Sequence, residues 1–487
     1  MLLKSIFSMR VVIANPPWPG GGYGIRTNTR WPHKLGAKIL VYPVYLGYVS
    51  SVLRQEGFEV YPIDAVEKEM GIYQFTEELK KINPKVIVLE ISAPSLNYDL
   101  ETAQALKHAL PDAAIIFCGV HATYAHKQLI EDYAFIDICI KGEFEYAIRD
   151  ICAAISKNKP LNNVEGITFR GKGKVIETRD RKPIENLDEM PFPDREDFPF
   201  LHYNRGYYSG KRTALVITSR GCPHHCTFCL WPQVLYGHRL RKRSAKNVVD
   251  EIEYLIKHYS IDEIDFDDDT ITVSREHIES ICNEILSRNI KIKWECMGRV
   301  DAVDKKTVEL MKKAGCDVIF FGFESGSEKI LKSIKKNVTK QQIVDAVKTT
   351  RKAGIWAAGS FVIGLPEEDR NTLKETIRFA KKLGADYVGF DRAAPFPGTE
   401  FYETVQKEGL LKLHSIEELD GSFGAIADTR HMTRQELDGG IRHAFIAYYT
   451  SPIVILRTIA RANNIANMRR LFRGFKSVMS RILFWKK

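Results

Sequence analysis

Apolar strand-like segments alternate with amphipathic helices along most of this 487-residue chain. Residues 10–155 contain five such strand segments, and residues 212–400 contain six more. Parallel strands need long crossover connections that are usually helical, so this alternation predicts parallel sheets covered by helices. We therefore predict an α/β protein, with a doubly wound, Rossmann-like first domain and a partial (β/α)6, TIM-like barrel after it. Both folds place their functional loops at the carboxyl ends of their strands.

Eleven segments are predicted to form the strands. In the first domain they are VVIAN (11–15), EVYPID (59–64), KVIVLEIS (85–92), AAIIFCG (113–119) and DICIKG (137–142). In the barrel they are TALVITS (213–219), EIDFDDD (263–269), KIKWECMG (291–298), DVIFFGFES (317–325), AAGSFVIG (357–364) and YVGFDRAA (387–394).

The region between the two alternating stretches has a different character. VEGITFRGKGKVIETRDR predicts a hairpin around Gly171 and Gly173, and MPFPDREDFPF, which is rich in Pro and Asp, predicts an extended linker. The predicted domains are residues 1–160 for the doubly wound domain, 161–210 for the hairpin and linker, 211–400 for the barrel, and 401–487 for a helical C-terminal region.

The composition is that of an ordinary globular protein, with 44% hydrophobic and 27% charged residues. No apolar run approaches the roughly 18 residues that a membrane-spanning helix needs. The opening MLLKSIFSMRVVIANPPW has apolar stretches too short for a secretory signal, so we predict a cytoplasmic protein. Cytosolic thiols stay reduced. Six cysteines in apolar segments are therefore predicted to be buried thiols: Cys118, Cys139, Cys152, Cys282, Cys296 and Cys316.

Three further cysteines lie within eight positions, in RGCPHHCTFC (220–229), directly after the first barrel strand. Thiolates are soft ligands that suit zinc or an iron–sulfur cluster. A zinc site would need a fourth ligand, which His224 or His225 could supply, but no second pair of ligands completes such a site. A cluster held at three corners would instead leave one iron open for a small molecule.

The spacing Cys-x3-Cys-x2-Cys, with the aromatic Phe228 before the last cysteine, resembles the signature of the radical S-adenosylmethionine superfamily. The resemblance implies that Cys222, Cys226 and Cys229 bind a [4Fe–4S] cluster whose open iron chelates S-adenosylmethionine. It further implies that a reduced partner such as flavodoxin or ferredoxin supplies an electron. The resulting 5′-deoxyadenosyl radical then abstracts hydrogen from the substrate. No catalytic residue that quenches the radical is identified.

One more stretch of the barrel matches a position where this family contacts S-adenosylmethionine, and a second stretch carries an arginine that could contact it. In FDDDT, Asp268 and Asp269 match the contact with the methionine moiety, although a solvated loop or a helix cap would use the same residues. In GRVD, Arg299 could pair with the carboxylate of the cofactor, or form a surface salt bridge.

The fourth and fifth barrel strands end in segments that resemble the nucleoside contacts of the family. In GFESG, Glu324 would accept hydrogen bonds from the ribose hydroxyls beside Ser325, which could alternatively cap a helix. In SFVIGLPEED, Ile363, Gly364 and Pro366 would flank the adenine ring, or serve packing alone.

The first domain resembles the cobalamin-binding domain of cobalamin-dependent radical enzymes, through NPPWPGGGYG, VIVLEISAPSL, FCGVHAT and KGEFE. In such a domain, small residues at the strand ends let the corrin tail enter. The residues that the resemblance assigns to cobalamin are Asn15, Ser92, Ser95, Gly119, His121, Thr123, Gly142 and Glu143.

One feature departs from that resemblance. No Asp-x-His occurs in residues 1–160, so the motif whose histidine ligates cobalt is missing, and His121 lies on a different loop. Many radical-type members also lack this motif. A domain that binds substrate, or one that only packs, remains an alternative to cobalamin binding.

Positive charge is concentrated near the C-terminus. From Gly439 onward the chain has ten Lys or Arg and no Asp or Glu, against a net charge of +10 for the whole sequence. This region predicts a basic amphipathic helix in peripheral contact with the inner face of the membrane, or a helix packed on the barrel. We expect no nucleic-acid partner, because the chain shows no recognition module.

A second basic run, HRLRKRS (238–244), follows the cysteine loop and predicts a solvated face or a phosphate contact. The surrounding CLWPQ…GH…RKRS…VVDEI resembles a subgroup associated with hopanoid and cyclitol lipid assembly.

These features together predict an enzyme that functionalises an unactivated carbon, by C-methylation of a lipid, a lipid-linked compound or another small molecule. One alternative is radical rearrangement, or C–C or C–O bond formation, without methyl transfer. Another is a zinc-bound scaffold that binds a lipid or a metabolite.

Overall fold

The computed structural model describes residues 9–20, 23–26, 32–35, 40–203, 212–420, 424–461 and 468. The chain divides into two units. The first comprises Met1–Tyr203 together with Leu230–Gly237 and Ser415–Ser422, and the second comprises Asn204–Cys229, His238–His414 and Phe423–Lys487. Two short segments from later in the chain thus belong to the first unit, which a sequence read as consecutive domains does not anticipate.

The elements of the first unit alternate as predicted. Its strands are β1 (Arg10–Asn15), β2 (Tyr23–Ile25), β3 (His33–Leu35), β4 (Glu59–Asp64), β5 (Val86–Glu90), β6 (Ala114–Cys118), β7 (Ile138–Ile140), β8 (Ile167–Gly171) and β9 (Lys174–Glu177). Its helices are α1 (Val44–Gln55), α2 (Ile72–Ile82), α3 (Leu96–Ala109), α4 (Val120–Asp132) and α5 (Glu145–Ser156).

Seven of these strands form one sheet, in the order β4-β1-β5-β6-β7-β8-β9. Strands β4, β1, β5, β6 and β7 are parallel, so the chain starts in β1, adds β4 on one side and continues through β5 on the other. This confirms the doubly wound fold. Ligands of such sheets bind beyond the carboxyl ends of the strands, where the winding direction reverses. Here that point lies between β1 and β5.

The predicted hairpin around Gly171 and Gly173 is present, and it extends this sheet. Strand β8 pairs antiparallel with β7, and β9 pairs with β8. Without β8, the edge of β7 would carry backbone N–H and C=O groups that need partners. The burial of β8 is consistent with a position inside the sheet, because Ile167, Thr168 and Phe169 are buried.

The core of the first unit is built on β1, β5, β6 and β7, which are buried along nearly their whole length. Helices cover both faces of a parallel sheet, so its strands are continuously apolar. In α2 only Phe75 and Leu79 are buried, one helical turn apart, and they attach that helix to the sheet. The central residues of the core are Val12, Ala14, Ile87, Leu89, Ile115 and Phe117.

The second unit contains the predicted barrel. Its strands are β10 (Thr213–Val216), β11 (Ser219–Arg220), β12 (Arg241–Lys242), β13 (Glu263–Phe266), β14 (Lys293–Gly298), β15 (Cys316–Glu324), β16 (Trp356–Ile363) and β17 (Tyr387–Arg392). Its helices are α6 (Ala245–Tyr259), α7 (Arg275–Ser287), α8 (Lys305–Lys313), α9 (Glu328–Ser333), α10 (Lys340–Lys352), α11 (Arg370–Leu383), α12 (Glu400–Lys407), α13 (Arg434–Tyr449) and α14 (Pro452–Arg461).

Six parallel strands form its main sheet in chain order, β10-β13-β14-β15-β16-β17, and all six coincide with predicted segments. Helices connect them, which confirms the partial (β/α)6 architecture. Helix α6 packs through an apolar stripe that is buried at Val248, Val249, Ile252 and Leu255. Strands β11 and β12 form a small antiparallel pair on either side of the cysteine loop.

The basic run 238–244 is not simply a solvated face. Arg241 and Arg243 are buried, and Arg243 donates from Nη1 to Glu251 Oε2 at 2.6 Å and to the carbonyl of Ile217 at 2.8 Å. Its Nε donates to Asn247 Oδ1 at 2.6 Å. Arg243 therefore ties the start of α6 to the segment after β10. A basic run in sequence does not reveal a carboxylate that approaches from the next helix.

The C-terminal region is helical over α13 and α14. The predicted basic tail lies mostly outside the described residues, which end at Arg461 apart from Met468. Within the described ranges, the structure contains no helix with the length and apolarity needed to traverse a bilayer.

Replacement of Arg243 by Ala should destabilise the protein, because it leaves Glu251 buried without its guanidinium partner. Breaking a buried ion pair in this way costs about 3 kcal/mol or more. The measurement is the urea dependence of unfolding, followed by circular dichroism.

Lys246→Ala is the matched control on the same helix. Lys246 is 75% exposed and pairs with Asp250 at 2.7 Å, so its loss should cost less than about 1 kcal/mol. Equal shifts in the two variants would contradict a special role for Arg243.

Candidate active site

The cysteine loop leaves the sheet at the carboxyl end of β10, where a barrel of this kind carries its chemistry. Cys222 and Cys226 are buried and Cys229 is partly buried. The loop is held by hydrogen bonds from Cys229 N to the carbonyl of Cys226 at 3.2 Å and from Thr227 N to the carbonyl of Ile334 at 3.1 Å. None of the nine cysteines forms a disulfide within the described chain.

The histidines around the loop support its backbone. His238 Nδ1 lies 3.2 Å from the carbonyl oxygen of Cys222 and 3.0 Å from that of His224. Both oxygens are acceptors, so Nδ1 carries a proton and donates. The His238 ring stacks on His225 at 3.9 Å. Burial lowers the pKa of His224 to about 4, which keeps that imidazole neutral.

Among the residues that the structure describes, no three His, Cys, Asp or Glu side chains lie close enough together to hold one metal ion. A zinc ion needs three or four such ligands around a single point. A cubane cluster, in contrast, binds each thiolate through a different iron.

Arg299 places a buried cation next to the cysteine loop. Its Nη1 lies 4.0 Å from Cys226 Sγ, and the side chain is almost inaccessible, so it does not form a surface salt bridge. Asp301 holds the guanidinium through two bonds of 2.9 Å. Arg299 Nη2 also donates to the carbonyl of Lys336 at 3.0 Å. A cation at this distance can offset the negative charge that a metal-binding thiolate carries.

Lys336 is a second buried cation, and no sequence motif marks it. Its Nζ donates to Glu324 Oε1 at 2.7 Å, and both side chains are less than 10% exposed. Burial by itself lowers the pKa of Lys336. The charges of Glu324 and Cys226 outweigh that effect, so the pKa is raised and the ammonium stays charged. Lys336 therefore links the predicted ribose contact to the cysteine loop.

The local backbone explains the sequence around Glu324. Glu324 has a φ of 57°, in the left-handed region that non-glycine residues rarely adopt. A Cβ at Gly322 would lie 2.1 Å from Glu324 Oε1 and 2.9 Å from Lys336 Nζ. A side chain at position 322 would therefore displace the buried pair from this arrangement.

Asp268 is buried, not solvated, and it receives three donors. Its Oδ1 accepts from Thr218 N at 3.0 Å, Thr218 Oγ1 at 2.9 Å and Ser219 Oγ at 2.6 Å. Burial raises its pKa to about 6. Asp268 thus joins the ends of β10 and β13. Burial also raises the pKa of Cys222 to about 11, and the neighbouring charge of Asp269 acts in the same direction.

Ser325 and its neighbours are fixed by α11. Ser325 Oγ lies 3.1 Å from Thr376 Oγ1 and accepts from Ser327 N at 3.1 Å. Ser327, not Ser325, occupies the N-cap position of α9. Phe228, the aromatic residue of the cysteine motif, is also buried.

The segment after β16 turns at Gly364, whose φ of 102° favours glycine. Gly364 N donates to Glu368 Oε2 at 2.6 Å, and the Ile363 carbonyl accepts from Ala393 N at 2.8 Å. The Pro366 carbonyl accepts from Arg430 N at 3.1 Å. Burial raises the pKa of Glu368 to about 8, so this carboxyl, which the sequence did not single out, is mostly protonated near neutral pH.

Two serines that follow β5 in the first unit form a network of hydrogen bonds with other polar side chains. Ser92 and Ser95 are fully buried with their hydroxyl oxygens 2.8 Å apart, and Ser95 donates to Asp99 Oδ2 at 2.7 Å. Burial raises the pKa of Asp99, although the charge of Arg26 opposes the shift.

Arg26 is the residue that joins this network to β1. It donates to Asp99 Oδ1 at 2.7 Å, to Asn15 Oδ1 at 2.5 Å and to the carbonyls of Pro16 and Pro17 at 3.0 and 3.1 Å. No motif marks Arg26, because its partners come from distant loops. Asn15, Ser92 and Ser95 are therefore brought together around Arg26 and Asp99.

The remaining residues assigned to cobalamin lie beyond β6 and β7. Thr123 Oγ1 donates to the Gly119 carbonyl at 2.9 Å and accepts from Gly142 N at 3.1 Å. His121 is buried in α4, and burial lowers its pKa to about 4. Glu143 Oε2 accepts from Ile184 N at 3.1 Å.

The cysteine loop and the strand ends of the first unit suit different cofactors. Three thiols with two buried cations nearby fit an iron–sulfur cluster, because the cations offset the charge of the thiolates. The first unit offers small residues and backbone groups at the ends of β5, β6 and β7, which suits a cofactor held by shape. His121 packs within α4 as a neutral side chain.

Family models match both units. The model of the radical SAM superfamily covers residues 216–380, and the model of the B12 binding domain covers residues 37–152. An uncharacterised methyltransferase of Pyrococcus horikoshii is 32% identical over 437 residues, which are 90% of this chain and 94% of that protein.

Other relatives have different activities. An anaerobic magnesium-protoporphyrin IX monomethyl ester cyclase of Rubrivivax gelatinosus is 27% identical over 404 residues, covering 81% of this chain and 70% of the cyclase. A hopanoid C-3 methylase of Methylococcus capsulatus is 25% identical over 379 residues, covering 75% and 69%.

A solved structure has the same fold along nearly the whole chain. The radical S-adenosylmethionine methyltransferase TsrM of Kitasatospora setae, with cobalamin and a [4Fe–4S] cluster bound, superposes with a TM-score of 0.71 and 16% identity, covering 97% of this chain and 99% of TsrM. The chain belongs to the radical S-adenosylmethionine superfamily, in the class of enzymes that carries a B12-binding domain before the radical SAM domain.

Proposed function

We propose that this enzyme transfers a methyl group to an unactivated carbon of a small molecule or lipid. The cofactors of its class are a [4Fe–4S] cluster, S-adenosylmethionine and cobalamin. When bound, they supply a hydrogen-abstracting radical and a transferable methyl group. The observation that carries the proposal is the 32% identity to a methyltransferase over 90% of this chain, which spans both the B12-binding domain and the radical SAM domain.

The residues of the barrel would act by binding and orientation. Cys222, Cys226 and Cys229 hold the cluster as thiolates. Arg299 and Lys336 keep positive charge beside Cys226, at a position where the carboxylate of S-adenosylmethionine would also be attracted. Asp269 lies close enough to Cys222 for their charges to interact.

The nucleoside would be oriented by the ends of β15 and β16. Glu324 is already fixed by Lys336, so its remaining acceptor positions can meet ribose hydroxyls without reorganisation. Glu368 holds the turn at Gly364, and that turn keeps the backbone beside Ile363 in place for the adenine.

In the first unit, cobalamin would bind against a hydrogen-bonded network between the carboxyl ends of β1 and β5. This network contains Asn15, Arg26, Ser92 and Ser95. Gly119, Thr123 and Gly142 would border the tail of the corrin. His121 and Glu143 are buried and would support these loops.

Partners and location extend the same proposal. A flavodoxin or ferredoxin would deliver the electron, and a reducing cytoplasm fits nine cysteines without a disulfide. Apolar side chains exposed on α14, followed by a basic segment, support peripheral contact with the inner face of the membrane and a lipid-type substrate.

Radical ring closure or rearrangement without methyl transfer is the second candidate function. The cyclase of Rubrivivax gelatinosus favours it, because a chain of similar sequence carries that name. The two candidates differ in whether a methyl group passes through cobalamin.

Anaerobic incubation with S-adenosylmethionine whose methyl group is deuterated separates these candidates, without knowledge of the substrate. We expect reduced, bound cobalamin to become methylcobalamin carrying the label, as measured by absorption and mass spectrometry. Formation of 5′-deoxyadenosine with cobalamin left unmethylated would contradict methyl transfer.

Cys226→Ala should remove one corner of the cluster and abolish reductive cleavage of S-adenosylmethionine, because an open coordination site depends on three fixed corners. The measurement is 5′-deoxyadenosine production, together with iron and sulfide content. Cys282→Ala is the control, since Cys282 is a buried thiol on α7 outside the loop. Cleavage that persists in Cys226→Ala would contradict the ligand assignment.

Lys336→Met should weaken binding of S-adenosylmethionine about tenfold or more, because it leaves Glu324 buried without its ammonium partner. Titration of the reconstituted protein measures this affinity, and cluster content should be retained. Lys335→Met removes an exposed lysine that pairs with Glu400 at 2.7 Å, and it should have no effect. Lys336→Arg should restore part of the affinity. Equal affinities in the two methionine variants would refute the role of Lys336.

A further inference from the structure

Three helices of the second unit enclose a pocket away from the cysteine loop. The pocket, of about 500 Å³, lies between α10, the end of α11, and α14. Part of its wall is apolar, from Val347, Leu383 and Ala460. None of the described residues that line it is acidic. Nothing in the proposed reaction uses this pocket.

The charged part of the lining is entirely cationic. It consists of Lys348, Arg351, Lys352 and Arg457. Lys348 and Lys352 are exposed and form no ion pair among the described residues. Arg351 pairs with Asp386 at 3.2 Å. The pocket therefore carries a surplus of positive charge, which raises the local concentration of anions.

Two guanidinium groups approach Gly384 at the end of α11. A Cβ at Gly384 would lie 3.6 Å from Arg351 Nη1 and 3.8 Å from Arg457 Nη1. Two like charges that both approach one position repel each other. In addition, Arg457 Nη1 is buried and has no hydrogen-bond partner within the described chain. An anion in the pocket would relieve both costs, since it would separate the charges and accept the missing bond.

Helix dipoles account for only part of this charge. Arg351 and Lys352 lie in the last turn of α10, where cations stabilise the exposed carbonyls. Each helix end carries roughly half a negative charge, so two ends do not neutralise four cations. Arg457, moreover, lies in the middle of α14.

An apolar surface borders the pocket. Six of the ten most exposed large apolar side chains of the described residues lie between positions 446 and 468. On α14, Ile453, Leu456 and Ile459 are 58%, 68% and 64% exposed. Ala460, which lines the pocket, lies one helical turn from Leu456. A ligand that fits both features has an anionic head and an apolar body.

We propose that this pocket binds the phosphate of an anionic membrane phospholipid, with the exposed stripe of α14 in contact with the acyl chains. Residues 462–487 of the same chain do not supply the anion, because that segment has seven Lys or Arg and no Asp or Glu. Its charge instead complements an anionic bilayer. This proposal specifies which residues contact the membrane and which lipid group they bind. The pocket takes no part in the proposed methyl transfer.

The test is sedimentation of the full-length protein with vesicles of phosphatidylglycerol and phosphatidylcholine. We expect the double variant Lys352→Gln and Arg457→Gln to bind these vesicles about tenfold more weakly than the unmodified protein, since it loses two cations at the surface. Lys374→Gln with Lys382→Gln is the control. Both lysines are exposed on α11 outside the pocket lining, so the same net charge is lost. The control should change vesicle affinity by less than about twofold.

Equal weakening in the two double variants would overturn the proposal, because it would show an effect of net charge alone. A second pair of changes, Leu456→Ser with Ile459→Ser, should also weaken vesicle binding. If vesicle binding is unchanged in that variant while inorganic phosphate binds the pocket, the site takes a free anion and the lipid assignment is wrong. Vesicle binding needs neither cluster nor turnover, so it fails or succeeds separately from methyl transfer.

Discussion

Buried positive charge beside Cys226 is the interaction on which the candidate active site depends. Thiolates in a low-dielectric interior are costly unless cations or metal compensate them. Arg299 lies 4.0 Å from Cys226 Sγ, and Lys336 is close enough for its charge to interact with the same sulfur. Each cation is in turn fixed by a carboxylate, Asp301 or Glu324. Together these cations offset the charge of the three thiolates that the proposed cluster site requires, and they can attract the carboxylate of S-adenosylmethionine to its open corner.

The same network explains why several strand ends carry unusual residues. Gly322 is small because Glu324 Oε1 occupies the space of its side chain, and Glu324 adopts a left-handed backbone to reach Lys336. Asp268, which follows β13, accepts hydrogen bonds from Thr218 and Ser219, which follow β10. These bonds fix the start of the cysteine loop relative to β13. Orientation of the loop is therefore built into the sheet, in keeping with catalysis by fixed charges.

Sequence patterns were sufficient for the fold because they report local physics. The spacing of apolar residues along a strand or a helix follows from the face that the element buries. All eleven predicted strands are present. The cysteine loop was recognisable for a similar reason, since its ligands are close in sequence. The hairpin β8–β9 was predicted, but its pairing with the sheet of the first domain was not, because edge pairing is a tertiary property.

Long-range partners were beyond sequence analysis. Lys336, Arg26 and Glu368 have no motif, and each acquires its role from a residue that folding brings near it. The basic run 238–244 likewise suggested solvent or phosphate, whereas Arg243 is satisfied by Glu251. The sequence shows how many charged residues a segment contains. The partner of each charged side chain depends on how the helices and strands pack.

The most direct test of an open metal corner is electron paramagnetic resonance of the anaerobically reconstituted, reduced protein before and after addition of S-adenosylmethionine. We expect about four iron and four sulfide per chain, and a spectrum that changes when S-adenosylmethionine binds. A single zinc without sulfide, or a cluster spectrum unaffected by S-adenosylmethionine, would contradict it.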